Sequence, residues 1–210
     1  MKTHYADIVF VKMQVIHLDS NFKQIWGIIM SNESLEMCDE FANLISNEEN
    51  ILGTSVFEIL KKYSSTISVF DMMTFSTHII EENKYVQESY RKDSQKSYIE
   101  SFLLRVKNIS NDKSDYSKSI DKKAFSDAIT TLKSTYSNEP PEAKNLLIFQ
   151  IASIYSTFLL EEPIHPVGTP FPGYLKLEEK NGKFYCPVKD ANNDTPNAVC
   201  NICLAEQLDF

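Results

Sequence analysis

Through most of the first 160 positions apolar residues recur at steps of three and four, the spacing that aligns them on one face of an α-helix. Leu35, Cys38, Phe41, Ala42 and Ile45 keep this step within 33–46. Ser68 to Glu82 does so with Val69, Met72, Met73, Phe75, Ile79 and Ile80. Tyr98, Phe102 and Val106, four apart, belong to a longer helix expected from Lys84 to Ile109, and Asp121 to Tyr136 gathers Phe125, Ala128, Ile129 and Leu132. Ser55 followed by Glu58 has the form of a capping box for a helix through Leu60. The stretch from Ala143 to Leu160 is apolar nearly all round, which places it at the centre of a bundle. Pro140 and Pro141 suit its first turn, where a missing N–H costs nothing. Residues 108–123, rich in Asn, Ser, Asp and Lys, are expected to be a mobile connection.

Helix breakers divide the chain. Only Gly27, Gly53, Pro140 and Pro141 fall in residues 1–160, whereas the last 50 residues hold six of the eight prolines and three of the five glycines. The expected architecture is mainly α: a helical bundle over 1–160, and a Cys/His-rich C-terminal module over 161–210 packed on it. Within that module, Tyr174–Glu178 and Lys183–Val188 flank Asn181-Gly182, a dipeptide that tolerates the positive φ of a tight hairpin. Asp194 or Thr195, with Pro196 behind, could cap a short last helix carrying Cys200 to Gln207. A hairpin plus one short helix buries little, and such small units usually need a staple.

Charge removes some function classes. With 21 basic and 29 acidic side chains the formal net charge is −8, so no nucleic-acid partner is expected. Residues 91–133 are locally basic, but their Lys and Arg alternate with Asp and Glu, as on a solvated helix face. The most apolar run, Leu146 to Leu160, is interrupted by Gln150, Ser153, Ser156 and Thr157 and falls short of the ~20 residues of a membrane span. The N-terminus lacks a small-residue cleavage site. A cytoplasmic protein with no membrane partner is the expectation.

Chemistry concentrates in the tail. Cys186, Cys200 and Cys203 lie within 18 residues. Two thiolates three apart on a helix, and a third from a hairpin, can surround one zinc ion, which takes four soft or borderline ligands. His165, in Ile164-His165-Pro166, is the nearest candidate for the fourth. An iron–sulfur cluster usually asks for four cysteines. That would recruit Cys38, whose helical spacing reads as core. A thioredoxin-like dithiol lacks its βαβ surroundings here.

The runs Glu161-Glu162-Pro163-Ile164-His165-Pro166-Val167-Gly168-Thr169-Pro170-Phe171-Pro172-Gly173, Tyr185-Cys186-Pro187-Val188-Lys189 and Ala198-Val199-Cys200-Asn201-Ile202-Cys203-Leu204-Ala205-Glu206-Gln207 resemble the C-terminal signature of a family of uncharacterised proteins from methanogenic archaea. The resemblance covers about the last 50 residues. It implies an archaeal, cytoplasmic protein and brings no activity with it. Tyr174 departs from it, standing where the family pattern favours glycine, which bears on the local turn alone.

Two functions from different classes follow. One is a binding or interaction protein, for a protein or small-molecule partner, with a closed structural zinc site. The other is a metal-dependent, hydrolase-like enzyme or an iron–sulfur or redox protein. In the hydrolase form the metal keeps an open position, Glu162 or Glu206 is the base, and the Gly168 and Thr169 N–H groups face a ligand. Cysteine-rich shells are usually structural, which favours the first.

Overall fold

A computed structural model describes residues 33–136, 143–171, 173–193 and 198–209, which belong to one compact unit. The expectations at Pro140 and Pro141, and at Asp194 to Pro196, lie outside the described residues. The chain is mainly helical, with short strands gathered toward the C-terminus.

The periodic segments become α1 (Glu33–Asn47), α2 (Gly53–Ser64), α3 (Val69–Glu82), α4 (Glu88–Ile109), α5 (Lys122–Tyr136) and α6 (Ala143–Ile154). Starts are set by side chains that satisfy otherwise unpaired N–H groups. Ser68 and Asp71 form a reciprocal capping box at α3, and Asp121 accepts the Ala124 N–H at α5. The box read at Ser55 and Glu58 does not form. The helix begins two residues earlier, at Gly53, which Leu52 precedes without a side-chain cap. The helix expected from Lys84 starts at Glu88, because residues 83–85 make a separate 3₁₀ turn.

α6 occupies the centre as its all-round apolar sequence requires, touching α1, α2, α3 and α4. Leu147, Ile148 and Ile151 are fully buried, as are Phe41, Phe75, Phe102 and Phe125 around them. Each such side chain contributes about 1.5–3 kcal/mol. The long polar side chain of Gln150, buried in this core, is also satisfied. Ser34 donates to Gln150 Oε1 at 2.8 Å and Gln150 Nε2 donates to the Leu132 carbonyl at 3.4 Å, tying α6 to α1 and α5.

Residues 108–123 are not a featureless connection. Asp112 accepts the hydroxyls of Tyr116 and Tyr155. Strand β2 (Ser119–Ile120) then pairs antiparallel with β1 (Ile51–Leu52), Ile51 opposite Ile120. Burial opposes the charge on Asp112, but its hydrogen bonds from Ser114, Tyr116 and Tyr155 prevail and hold the carboxyl well below the usual range. α6 ends in a π-helical turn, Tyr155–Leu159, followed by Glu161 at a left-handed φ of 53°.

Beyond it, β3 (Pro170–Phe171) pairs with β4 (Leu175–Lys176), and β5 (Glu178–Lys180) with β6 (Lys183–Cys186). The latter turn has Asn181 at φ 56° and Gly182 at φ 76°, as the dipeptide demands. A short helix, α7 (Lys189–Asn193), follows. Among the described residues no helix is long and apolar enough to cross a membrane.

Candidate functional site

The tail does not end in the expected helix. Cys200 sits in a 3₁₀ turn, Val199–Ile202, and Cys203 just after it is extended. The chain then enters β7 (Glu206–Gln207), which runs parallel to β6 with Cys186 opposite Gln207. The Leu208 N–H donates to the Cys186 carbonyl at 3.0 Å. Pairing with a strand some 20 residues upstream overrides local helix preference and returns Cys200 and Cys203 to the neighbourhood of Cys186.

The cysteines sit at the seam between two apolar clusters. Cys186 belongs to a small one with Leu177 and Ala205, while Cys203 touches both that cluster and the main core. Cys186 and Cys200 line a cavity of about 330 Å³ together with Tyr98, Phe149, His165 and Phe171. All four cysteines are free, and Cys38 stays apart in the main core, its thiol pushed up to about 12 by burial.

The surroundings of the three tail sulfurs carry several hydrogen-bond donors. Burial raises the Cys186 thiol pKa, a rise that the nearby Val188 and Lys189 backbone N–H groups oppose. The Ile164 N–H donates to Cys203 Sγ at 3.5 Å. Burial also raises Cys200, helped by the negative charge Cys186 and Cys203 would carry. The Lys189 ammonium opposes that rise at both Cys186 and Cys200. It is anchored by donating to the carbonyls of Cys200 and Cys203.

His165 is buried in an aromatic box, with ring centroids at 4.5 Å from Tyr98, 5.8 Å from Phe102 and 6.1 Å from Phe171. Its Nε2 has no hydrogen-bond partner. Burial pushes its pKa down to about 4, so the ring is neutral at ordinary pH, the form that ligates metals. This unpartnered imidazole belongs to a residue that lines the same cavity as Cys186 and Cys200.

Other expectations fare differently. Glu162 pairs with Arg105, and Glu206 with Lys183 at 3.0 Å; both are exposed, and neither lines the cavity. The Gly168 and Thr169 N–H groups are spent on the carbonyls of Leu177 and Pro166. Among the described residues, no three His, Cys, Asp or Glu side chains stand ready to hold a metal ion. An ion would have to draw the sulfurs and the imidazole inward. Sequence reasoning passed over Lys189 and Tyr98. The first is visible only as the cation two residues after Pro187, and the second only as one more apolar position of α4.

Residues 53–208 match the family described as an uncharacterized protein conserved in archaea (DUF2115), and the chain belongs to it. A UPF0305 protein of Methanothermobacter thermautotrophicus is 34% identical over 154 residues, covering 72% of this chain and 94% of that protein. A second one from the same organism is 33% identical over 149 residues, covering 70% and 91%. A UPF0305 protein of Methanocaldococcus jannaschii is 25% identical over 160 residues, covering 73% and 95%. No solved structure matches.

Proposed function

We propose that the chain is a binding protein whose C-terminal segment, 161–210, is stapled to the helical scaffold by a zinc ion on Cys186, Cys200, Cys203 and His165. The observation that carries this reading is the bare Nε2 of buried His165 in the cavity that Cys186 and Cys200 also line. Two further features support it. The Ile164 N–H already donates to the Cys203 sulfur, a supporting bond of the kind that holds metal thiolates in place. Three thiolates around Zn²⁺ leave one negative charge, and the Lys189 ammonium lies beside them to offset it.

The ion acts through folding. The segment's own cluster of Leu177, Cys186 and Ala205 is small, and its other anchors are Ile164, Val199 and Ile202 on the main core; structural zinc sites supply about 10–16 kcal/mol in small units. With four protein ligands no position stays open for substrate, so the role is to present a surface or cavity to a partner. Four free cysteines suit a reducing compartment, and we place the protein in the cytoplasm.

Elemental analysis of the full chain, purified without added metal, tests the proposal. About one zinc per chain is expected, lost in Cys186→Ser and in Cys203→Ser. Protein free of metal, or metal retained by both variants, contradicts it; iron in place of zinc moves the site to the redox class.

A further inference from the structure

The cavity that Cys186 and Cys200 line extends to side chains of α3, α4, α5 and α6. It lies where those helices meet the C-terminal segment, the kind of junction at which ligand pockets form. Phe149, Phe171, Leu132, Leu146, Val188 and Val199 make its apolar walls. Protein interiors are close-packed, with few voids larger than a water molecule, so an apolar space of about 330 Å³ departs from ordinary packing. A cavity of about 150 Å³ lined by apolar side chains takes up one benzene, and about twice that volume suits a bicyclic ring system.

Tyr98 supplies the polar contact. It is half-buried on α4 and lines the cavity. The groups whose charge reaches its hydroxyl, Cys200, Glu82 and Cys186, line the cavity too, which places the hydroxyl on that side of the ring. Among the described residues this hydroxyl has no hydrogen-bond partner, although tyrosines usually find one when covered. Its oxygen still keeps accessible surface, unlike the sealed Nε2 of His165. Burial favours the neutral phenol, which both donates and accepts.

No lining side chain among the described residues is free to offset a ligand's charge. His78 and Glu82, at the solvent-exposed margin, pair with each other at 3.4 Å. The Lys189 ammonium nearby is spent on the carbonyls of Cys200 and Cys203. An unpaired charge is costly to bury, and this selects a neutral occupant.

We propose that the cavity binds a neutral bicyclic aromatic molecule carrying one hydroxyl or carbonyl oxygen, its rings against Phe149 and Phe171 and its oxygen on the Tyr98 hydroxyl. Flat rings on the wall favour a flat ligand, and the one unspent hydroxyl sets its orientation. This gives the proposed binding role an occupant without resting on the metal ion.

Fluorescence titration of the full chain with 2-naphthol tests this, with naphthalene and 2-naphthoate as controls. 2-Naphthol binds saturably, naphthalene about three- to tenfold more weakly for want of the hydrogen bond, and the charged 2-naphthoate weaker by about tenfold or more. Tyr98→Phe lowers the affinity for 2-naphthol to that for naphthalene and leaves naphthalene unchanged. Ala198→Phe, which places a ring at the cavity wall, abolishes both while far-UV circular dichroism is kept; should it unfold, Tyr98→Phe decides alone. No saturable 2-naphthol binding, 2-naphthoate binding as tightly, an undiminished preference for 2-naphthol in Tyr98→Phe, or full binding in folded Ala198→Phe overturns the proposal. Zinc is measured on the same samples. Binding without zinc upholds the cavity ligand and contradicts the staple, and zinc without binding does the reverse.

Discussion

Gly53 opens α2 directly after β1, with the loop of residues 110–121 lying against it. A methyl group at this position would meet the Tyr116 carbonyl oxygen at 2.7 Å and Leu159 Cδ2 at 3.2 Å. Leucine can turn aside, but the carbonyl is backbone and is pinned from several directions. The Gly53 N–H donates to the Lys118 carbonyl at 3.0 Å, Leu52 pairs with Ser119, and the Tyr116 ring packs on Phe57 at 5.0 Å with its hydroxyl on Asp112. Gly53→Ala therefore pits two effects against each other. Alanine favours the helix by up to about 1 kcal/mol over glycine. Overpacking against a fixed neighbour costs about 1–3 kcal/mol. The clash should prevail by about 1–2 kcal/mol, and a unit of this size loses about 2–4 °C of Tm per kcal/mol. Thermal and urea unfolding followed by far-UV circular dichroism should show a Tm lower by about 2–8 °C with an unchanged urea m-value. A variant as stable as the parent, or more so, would mean the loop gives way freely and the β1–β2 clamp is not rigid.

The remaining predictions concern other joints of the fold. Gln150→Leu strands the Ser34 hydroxyl in the core and should cost about 1–3 kcal/mol, much of it recovered in the Ser34→Ala, Gln150→Leu double variant; additive losses would deny the coupling. Asp112, with its folded pKa depressed, contributes stability above the ordinary carboxylate value of about 4 and loses it as pH falls below that. Asp112→Asn should therefore be less stable at neutral pH and have a flatter acid limb in denaturation scans between about pH 5 and 2, whereas parallel curves would discount the Tyr116 and Tyr155 bonds. Lys189→Met removes the cation beside the thiols and should weaken zinc binding about 10–100-fold in a chelator competition, with equal affinity arguing against its compensating role. In hydrogen exchange, Cys200→Ser should expose the amides of residues 203–208 while α6 stays protected; a fully protected tail would show that the strand pairing needs no staple.

What the amino-acid pattern disclosed was local. Helical spacing located α1 and α3 to α6 because each buries one face, or in α6 nearly all of it, and Asn181-Gly182 announced its turn through backbone freedom alone. What it concealed was non-local. Residues 200–207 have helical spacing, but the unpaired edge of β6, far away in sequence, offers a ladder that local preference cannot foresee. The polar run around Asp112 looked unstructured because its acceptors and donors, Tyr116 and Tyr155, are brought together only by the finished bundle. The π turn leaves no periodicity to detect. For the tail, the sequence singled out Cys186, Cys200, Cys203 and His165 as candidate ligands; Cys186, Cys200 and His165 line one cavity, and Cys203 does not. The aromatic box, the Ile164 N–H on Cys203 and the Lys189 amine appear only in three dimensions.

X-ray absorption at the zinc edge on the full chain is the most direct test of the stapled tail. Three sulfurs at about 2.3 Å and one nitrogen at about 2.0 Å are the predicted neighbours of the ion. An absent edge, or a shell built of oxygen and nitrogen alone, would contradict the account.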